Sequence, residues 1–210
     1  MADCVIFCAG GFSGLAEPIA TDACILAADG GFAHVQSLGL TPTEILGDFD
    51  SLGYVPRGAQ VFPVEKDDTD AMLAARRGLE LGCHRFLFYG AMDGERIDHT
   101  VANFQTLQFL ADKGCRGYLI GQKQIATVVK NDSLRFSRDA AGIFSVFCLG
   151  ADARGVTLRG VKYPLENGTL TAGFPLGVSN HFVGEAGEIT VTDGNLLVIY
   201  DRVNGIEVGK

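Results

Sequence analysis

The chain has 210 residues, 47% of them hydrophobic and 20% charged, enough for one large domain or two small ones with real cores. Lys and Arg number 17 against 25 Asp and Glu, and the resulting net charge of −8 argues against a nucleic-acid-binding surface, which needs clustered cations. No apolar run approaches the roughly 18 residues of a membrane span, the N-terminus carries no signal-peptide pattern, and six cysteines are scattered without C-x-x-C spacing, so a reduced, cytoplasmic setting is expected.

Cys4-Val5-Ile6-Phe7-Cys8 predicts a buried strand followed by Ala9-Gly10-Gly11, and Cys24-Ile25-Leu26-Ala27-Ala28 a second one followed by Asp29-Gly30-Gly31. A helix is expected over residues 32–38, stopped by Gly39. Thr43-Glu44-Ile45-Leu46 then leads into Gly47-Asp48-Phe49-Asp50-Ser51-Leu52. Residues 60–64 run into Lys66-Asp67-Asp68-Thr69-Asp70, and residues 71–81, rich in Ala, Leu and Arg, predict a helix ended by Gly82. Residues 85–89 read as a strand, Gly90 opens a long polar loop, and Val101, Phe104, Leu107 and Leu110 recur at helical spacing up to Gly114. Alternation on this scale implies βαβ units, and residues 1–121 are expected to form an α/β domain with a doubly wound, largely parallel sheet.

After Gly121 the pattern changes. Residues 143–149 are strand-like. Val156 and Leu158 alternate out of phase with Val161, Tyr163 and Leu165, which predicts a β-bulge beside Gly160. Residues 189–192 and 196–200 flank Asp193-Gly194, a hairpin signal. With no helical pattern, residues 122–210 are expected to be an all-β sandwich domain.

In an open parallel sheet, ligands bind beyond the carboxyl ends of the strands. The loops at that edge carry Gly10-Gly11, Asp29-Gly30-Gly31, Asp48 and Asp50, Asp67-Asp68-Thr69-Asp70, and the stretch from Gly90 through Arg96 to Asp98-His99. Crowded carboxylates repel unless a cation neutralises them, and all-oxygen ligands favour Mg²⁺ or Mn²⁺ over zinc. Asp48 and Asp50 share a face if the chain there is extended, and the same tetrapeptide also suits an Asx-type turn. Thr69 fits a helix cap with acids beside it. Arg96 and Asp98 fit a plain ion pair, or a guanidinium fork for phosphate oxygens. P-loop, displaced-glycine dinucleotide and Gly-x-Ser-x-Gly patterns are missing or broken, and His34, His84, His99 and His181 are too dispersed for a zinc site.

Taken in order, Asp29-Gly30-Gly31, Gly47-Asp48-Phe49-Asp50-Ser51, Asp67-Asp68-Thr69-Asp70, Arg96-Ile97-Asp98-His99-Thr100-Val101-Ala102-Asn103, Gly160-Val161-Lys162-Tyr163-Pro164-Leu165, Val178-Ser179-Asn180 and Asp193-Gly194-Asn195-Leu196-Leu197 resemble the thiamine pyrophosphokinase family over nearly the whole chain. The resemblance implies a homodimer of two-domain subunits, transferring pyrophosphate from ATP to the hydroxyl of thiamine to give thiamine diphosphate and AMP. It implies that Asp48, Asp50 and Asp70 hold Mg²⁺ near the triphosphate. Asp29, Gly30, Gly31, Asp67, Thr69 and Arg96 would contact ATP, with Asp98 beside the phosphates. Thiamine would lie between subunits near Tyr163, Ser179 and Asn180. Two features depart from the family pattern: Met92-Asp93-Gly94-Glu95 makes its loop about one residue longer, and Met72 replaces a common glutamate. Rival readings are another metal-dependent nucleotide hydrolase or alcohol pyrophosphokinase, and a non-catalytic thiamine-binding protein.

Overall fold

The computed structural model describes residues 2–50, 52–63 and 67–206, and the chain divides into two compact units, residues 1–122 and 123–210. In the first unit, strands β1 (Asp3–Phe7), β2 (Cys24–Ala28), β3 (Glu44–Gly47), β4 (Gln60–Val61), β5 (Arg85–Tyr89) and β6 (Arg116–Ile120) pair in parallel in the order β6-β5-β1-β2-β3-β4. The order runs outward both ways from β1. The switch point therefore lies between β1 and β5, where open sheets of this kind hold ligands. Ser51, Val64 and Lys66, quoted above in the stretches around Asp48 and before Asp67, lie outside the described residues.

Helices α1 (Phe32–Ser37), α2 (Asp70–Glu80) and α3 (Ile97–Asp112) complete the unit. Leu107 and Leu110 of α3 pack over Gly117 of β6, and Gly78 of α2 sits on Cys4 and Phe86. Because Phe86 and Gly117 are register partners, α2 and α3 cover the same face. Burying each of those leucines contributes about 2 kcal/mol, which is why the helices lie flat on the sheet. Helix α3 begins four residues before Val101. Ile97 and Val101 are 79% and 52% exposed, so the buried stripe is Asn103, Thr106, Leu107 and Leu110, and apolar spacing alone missed the first turn.

The second unit contains β7 (Gln124–Lys130), β8 (Ser133–Phe136), β9 (Ile143–Cys148), β10 (Ala153–Arg159), β11 (Leu165–Leu170), β12 (Asn180–His181), β13 (Gly187–Thr190) and β14 (Asn195–Asp201). They form two antiparallel sheets, β12-β9-β14-β7 and β11-β10-β13-β8. Phe136 of β8 meets the Tyr200 ring of β14 at 5.1 Å, and the Phe182 ring packs at a tilt against both Phe136 and Phe144 of β9, so the core lies between the sheets as in a sandwich.

Two local expectations are corrected. The register irregularities fall inside β10, between Arg154 and Leu158, while Gly160 ends the strand, so the phase change marks a strand boundary. Asp193-Gly194 closes no hairpin: β13 pairs with β10 and β8, whereas β14 pairs with β7 and β9 in the other sheet. Neighbouring strands hold this turn. Asn131 Oδ1 accepts the Gly194 N–H at 2.9 Å, Arg154 N–H donates to the Asp193 carbonyl at 2.8 Å, and Gly194 has φ +119°. Among the described residues no helix is long and apolar enough to cross a membrane.

Candidate active site

A cavity of about 980 Å³ opens at the carboxyl edge of the first unit's sheet, lined by the loops after β1, β2, β3 and β5 and by the start of α2 and α3. The two loops at the switch point are stitched together, with Cys8 N–H donating to the Tyr89 carbonyl at 2.8 Å and Gly10 N–H to the Gly90 carbonyl at 2.9 Å. From α1, His34 Nε2 reaches the Gly10 carbonyl at 2.9 Å.

The acids come together as a turn. Asp50 N–H donates to Asp48 Oδ1 at 3.3 Å, an Asx-type geometry, and Phe49 between them has φ +62°. A left-handed phenylalanine costs about 1–3 kcal/mol, which burial of its ring, here 3% exposed, offsets with about 2–3 kcal/mol. Phe49 thus pegs the loop into the core and leaves both aspartates at the cavity. The strand alternation invoked from sequence is not what aligns them, because β3 ends at Gly47.

Asp29 joins the pair. Its backbone lies against Gly47, where a Cβ would come 3.0 Å from Asp29 Cα, so only glycine lets the ends of β2 and β3 approach this closely. Carboxylate oxygens of Asp29, Asp48 and Asp50 fall within 4.8 Å of one another, with Asp29 buried, Asp48 half-buried and Asp50 exposed. Three hard oxygen donors at that spacing, open to a cavity, fit Mg²⁺ or Mn²⁺. Asp29 is thus grouped with the metal-type acids rather than only with the nucleotide-type glycine loop.

Asp70 also lines the cavity, from the first turn of α2, and Thr69 caps that helix by accepting the Met72 N–H at 3.2 Å, a bond worth about 1 kcal/mol. Asp68 is tied to Arg76 at 3.0 Å. Asp67 is exposed beside them, and it, Gly30, Gly31 and Asp98 are not among the lining residues. Burial first, and then the charges of Asp70 and Asp29, push the Cys8 thiol up to about 12.

Arg96 is the only arginine or lysine among the described lining residues. It sits at the N-cap of α3 and its Nη2 meets Asp98 Oδ2 at 2.6 Å. Both side chains are well exposed, so the pair contributes little stability and leaves the guanidinium facing water and cavity. Their hydrogen bond holds the Asp98 carboxyl below its ordinary range.

Sequence reasoning assigned no role to Asp93 and Asn103, which also line the cavity. Asp93 Oδ2 accepts the Gln122 N–H, and buried Asn103 donates Nδ2 to the Ala91 carbonyl at 2.6 Å, so between them they hold the loop that carries Arg96. The available signal was position: Asp93 is a further acid on a loop at the sheet's carboxyl edge.

In the second unit, Tyr163 is 57% exposed, with Lys162 Nζ 5.3 Å from its ring centroid. Ser179 is exposed, with φ +59°, and its N–H donates to Ser145 Oγ at 3.0 Å. Asn180 is buried and spends its amide on the backbone: Oδ1 accepts the Tyr163 and His181 N–H groups at 3.0 and 2.9 Å, and Nδ2 donates to the Tyr163 carbonyl at 2.8 Å.

The family model for the thiamin pyrophosphokinase catalytic domain matches residues 16–119, and that for the thiamin pyrophosphokinase vitamin B1 binding domain matches residues 133–196. The thiamine pyrophosphokinase of Bacillus subtilis is 28% identical over 180 residues, covering 81% of this chain and 84% of that protein. The crystal structure of the thiamin pyrophosphokinase of Geobacillus thermodenitrificans is 26% identical with a TM-score of 0.78, covering 96% of this chain and 97% of that one. The thiamin pyrophosphokinase of Candida albicans shares the fold at 15% identity and a TM-score of 0.74, over 95% of this chain and 88% of that one. The acid-lined cavity lies in the unit matched by the catalytic-domain model, and with both models together spanning most of its length, the chain belongs to the thiamin pyrophosphokinase family.

Proposed function

We propose that the protein transfers pyrophosphate from ATP to the hydroxyl of thiamine, giving thiamine diphosphate and AMP. The observation that carries this reading is the cluster of Asp29, Asp48 and Asp50 on the wall of a cavity large enough for a nucleotide, within the residues matched by the catalytic-domain model. Residues 1–121 serve as the nucleotide and metal domain, and residues 122–210 as the thiamine-binding domain.

Asp48 and Asp50, with Asp29 and with Asp70 from α2, hold Mg²⁺ against the triphosphate. When bound, Mg²⁺ offsets phosphate charge and polarises the β-phosphorus. The thiamine hydroxyl attacks that phosphorus in line, a new oxygen–phosphorus bond forms as the hydroxyl proton passes to solvent, and the bond to AMP breaks. As in other phosphoryl transfers, rate comes from positioning and charge neutralisation. The exposed guanidinium of Arg96 supplies the positive charge, Asp98 steadies it from outside the cavity, and Asp29, Asp68 and Thr69, which line the cavity, frame the nucleotide, with Gly30, Gly31 and Asp67 shaping their loops from behind.

Tyr163 and Ser179 face thiamine, while Asn180 holds the segment that presents them. Tyr163, Phe174, Leu176, Val178 and Val183 are all 44% exposed or more, an apolar surface suited to covering by a second subunit, and we place the thiamine site at that homodimer interface. The six cysteines are free, consistent with a cytoplasmic setting.

The test is AMP release from ATP and Mg²⁺, with and without thiamine. Thiamine-dependent AMP together with thiamine diphosphate is the expected result. ADP or phosphate release indifferent to thiamine would make the protein a nucleotide hydrolase, and tight thiamine binding with no turnover would make it a binding protein.

A further inference from the structure

The segment that carries Ser179 lies along the edge of β9 away from β14, and its register there slips by one residue. Asn180 and His181 of β12 pair with Phe144 and Ile143. Farther along, Val146 N–H donates to the Gly177 carbonyl at 2.9 Å, and a Cβ on Gly177 would run into the Val146 carbonyl oxygen. Unbroken antiparallel pairing from Asn180 would bring Val178, not Gly177, to Val146. Val178 and Ser179 therefore stand together opposite the single residue Ser145, which is the arrangement of a β-bulge.

Two consequences meet at Ser179. Its backbone is left-handed, with φ +59°, a conformation that a residue other than glycine keeps only where its surroundings hold it. Its N–H, displaced from the ladder, donates to Ser145 Oγ at 3.0 Å. Alternation along β9 puts that hydroxyl within reach: Phe144 and Val146 are buried on the core face, and half-buried Ser145 leaves by the other. Ser179 itself is exposed.

We propose that Ser145 is a positioning residue for thiamine: its hydroxyl locks the bulge and so sets where the Ser179 side chain stands when the substrate arrives. The inference rests on the thiamine-binding role proposed above for Ser179. Bulges re-aim side chains beside binding sites, and here a side-chain hydroxyl replaces the ladder bond that the extra residue lost. Fixing the binding conformation in advance removes an ordering cost from association with the ligand that Ser179 touches. The effect therefore falls on thiamine and not on the nucleotide, whose cavity is built by the first unit.

The test compares the full-length parent with Ser145→Ala, Ser145→Thr, Ser179→Ala and the double variant Ser145→Ala/Ser179→Ala. Thiamine binding is measured by calorimetry without ATP, and KM for each substrate in the presence of Mg²⁺. Ser145→Ala is expected to weaken thiamine binding and raise its KM at least about fivefold, the worth of one hydrogen bond, with KM for ATP unchanged. Ser145→Thr keeps the acceptor and is expected to restore the parent values. The double variant is expected to bind thiamine no worse than Ser179→Ala alone, because Ser145 acts through Ser179. Parent-like thiamine binding by Ser145→Ala, equal rises in both KM values, or losses that add in the double variant would overturn the assignment. Failure of the underlying functional reading shows earlier and differently: the parent itself would neither bind nor consume thiamine, and the role of Ser145 would fall with it.

Discussion

Asn180→Ala separates a structural asparagine from a ligand-binding one. The side chain is 4% exposed and makes three hydrogen bonds, all to backbone: two accepted by Oδ1 from Tyr163 and His181, one donated by Nδ2 to the Tyr163 carbonyl. At about 1 kcal/mol each, with a further cost for the N–H groups left unpaired, truncation destabilises by about 2–4 kcal/mol. In a chain of this size that is a fall in melting temperature of about 5–12 °C. Urea unfolding followed by far-UV circular dichroism measures the first figure, and a thermal scan the second. Asn180→Asp keeps both accepted bonds but sets a carboxylate against the Tyr163 carbonyl, so it too is destabilised. A variant within about 0.5 kcal/mol of the parent, coupled to a tenfold rise in KM for thiamine, would refute the clamp and make Asn180 a direct thiamine contact.

Asp48→Asn is expected to lower kcat at least about 100-fold with an unchanged melting temperature in EDTA, and to abolish the stabilisation that Mg²⁺ gives the parent. A normal rate would remove Asp48 from the metal site. Arg96→Ala is expected to leave melting unchanged, because its bond to Asp98 is exposed, while kcat/KM for ATP falls at least about tenfold. Loss of stability without loss of rate would make it a structural ion pair. Glu44 is held below its ordinary range by Arg77, whose Nη2 and Nε lie 2.6 and 2.8 Å from its carboxylate. A depressed folded pKa gives stability that is present above the unfolded value near 4.5 and lost as pH falls through the folded one. Between pH 5 and 3 the parent is therefore expected to lose more stability than Glu44→Gln, measured by urea midpoint, and parallel curves would refute the linkage.

The first unit was legible because each strand is a short apolar run closed by its own punctuation. Residues 85–89 coincide with β5, and α2 differs from the expected helix by one residue at each end. Buried parallel strands carry that signal locally. The grouping of Asp29 with Asp48 and Asp50 was not local. It depends on β2 and β3 being neighbours and on Gly47 letting their ends meet, and strand order is written in packing across the sheet. Asn180 illustrates a second limit: an exposed-looking Ser-Asn dipeptide hides one side chain turned inward onto the backbone of Tyr163 and His181. Asp193-Gly194 misled for the same reason, since turn chemistry gives a reversal of the chain without naming the strands on either side of it.

That reversal has a consequence for the order in which the protein can be made. β14 is an interior strand of its sheet, flanked by β7 and β9, and is the last strand among the described residues. While a ribosome is still supplying residues 195–201, β7 and β9 have emerged with apolar faces and open inner edges that only β14 can fill. The edges of β7 and β9 that face β14 therefore stay without that partner until residues 195–201 are made, whereas the six strands of the first unit are complete by residue 120.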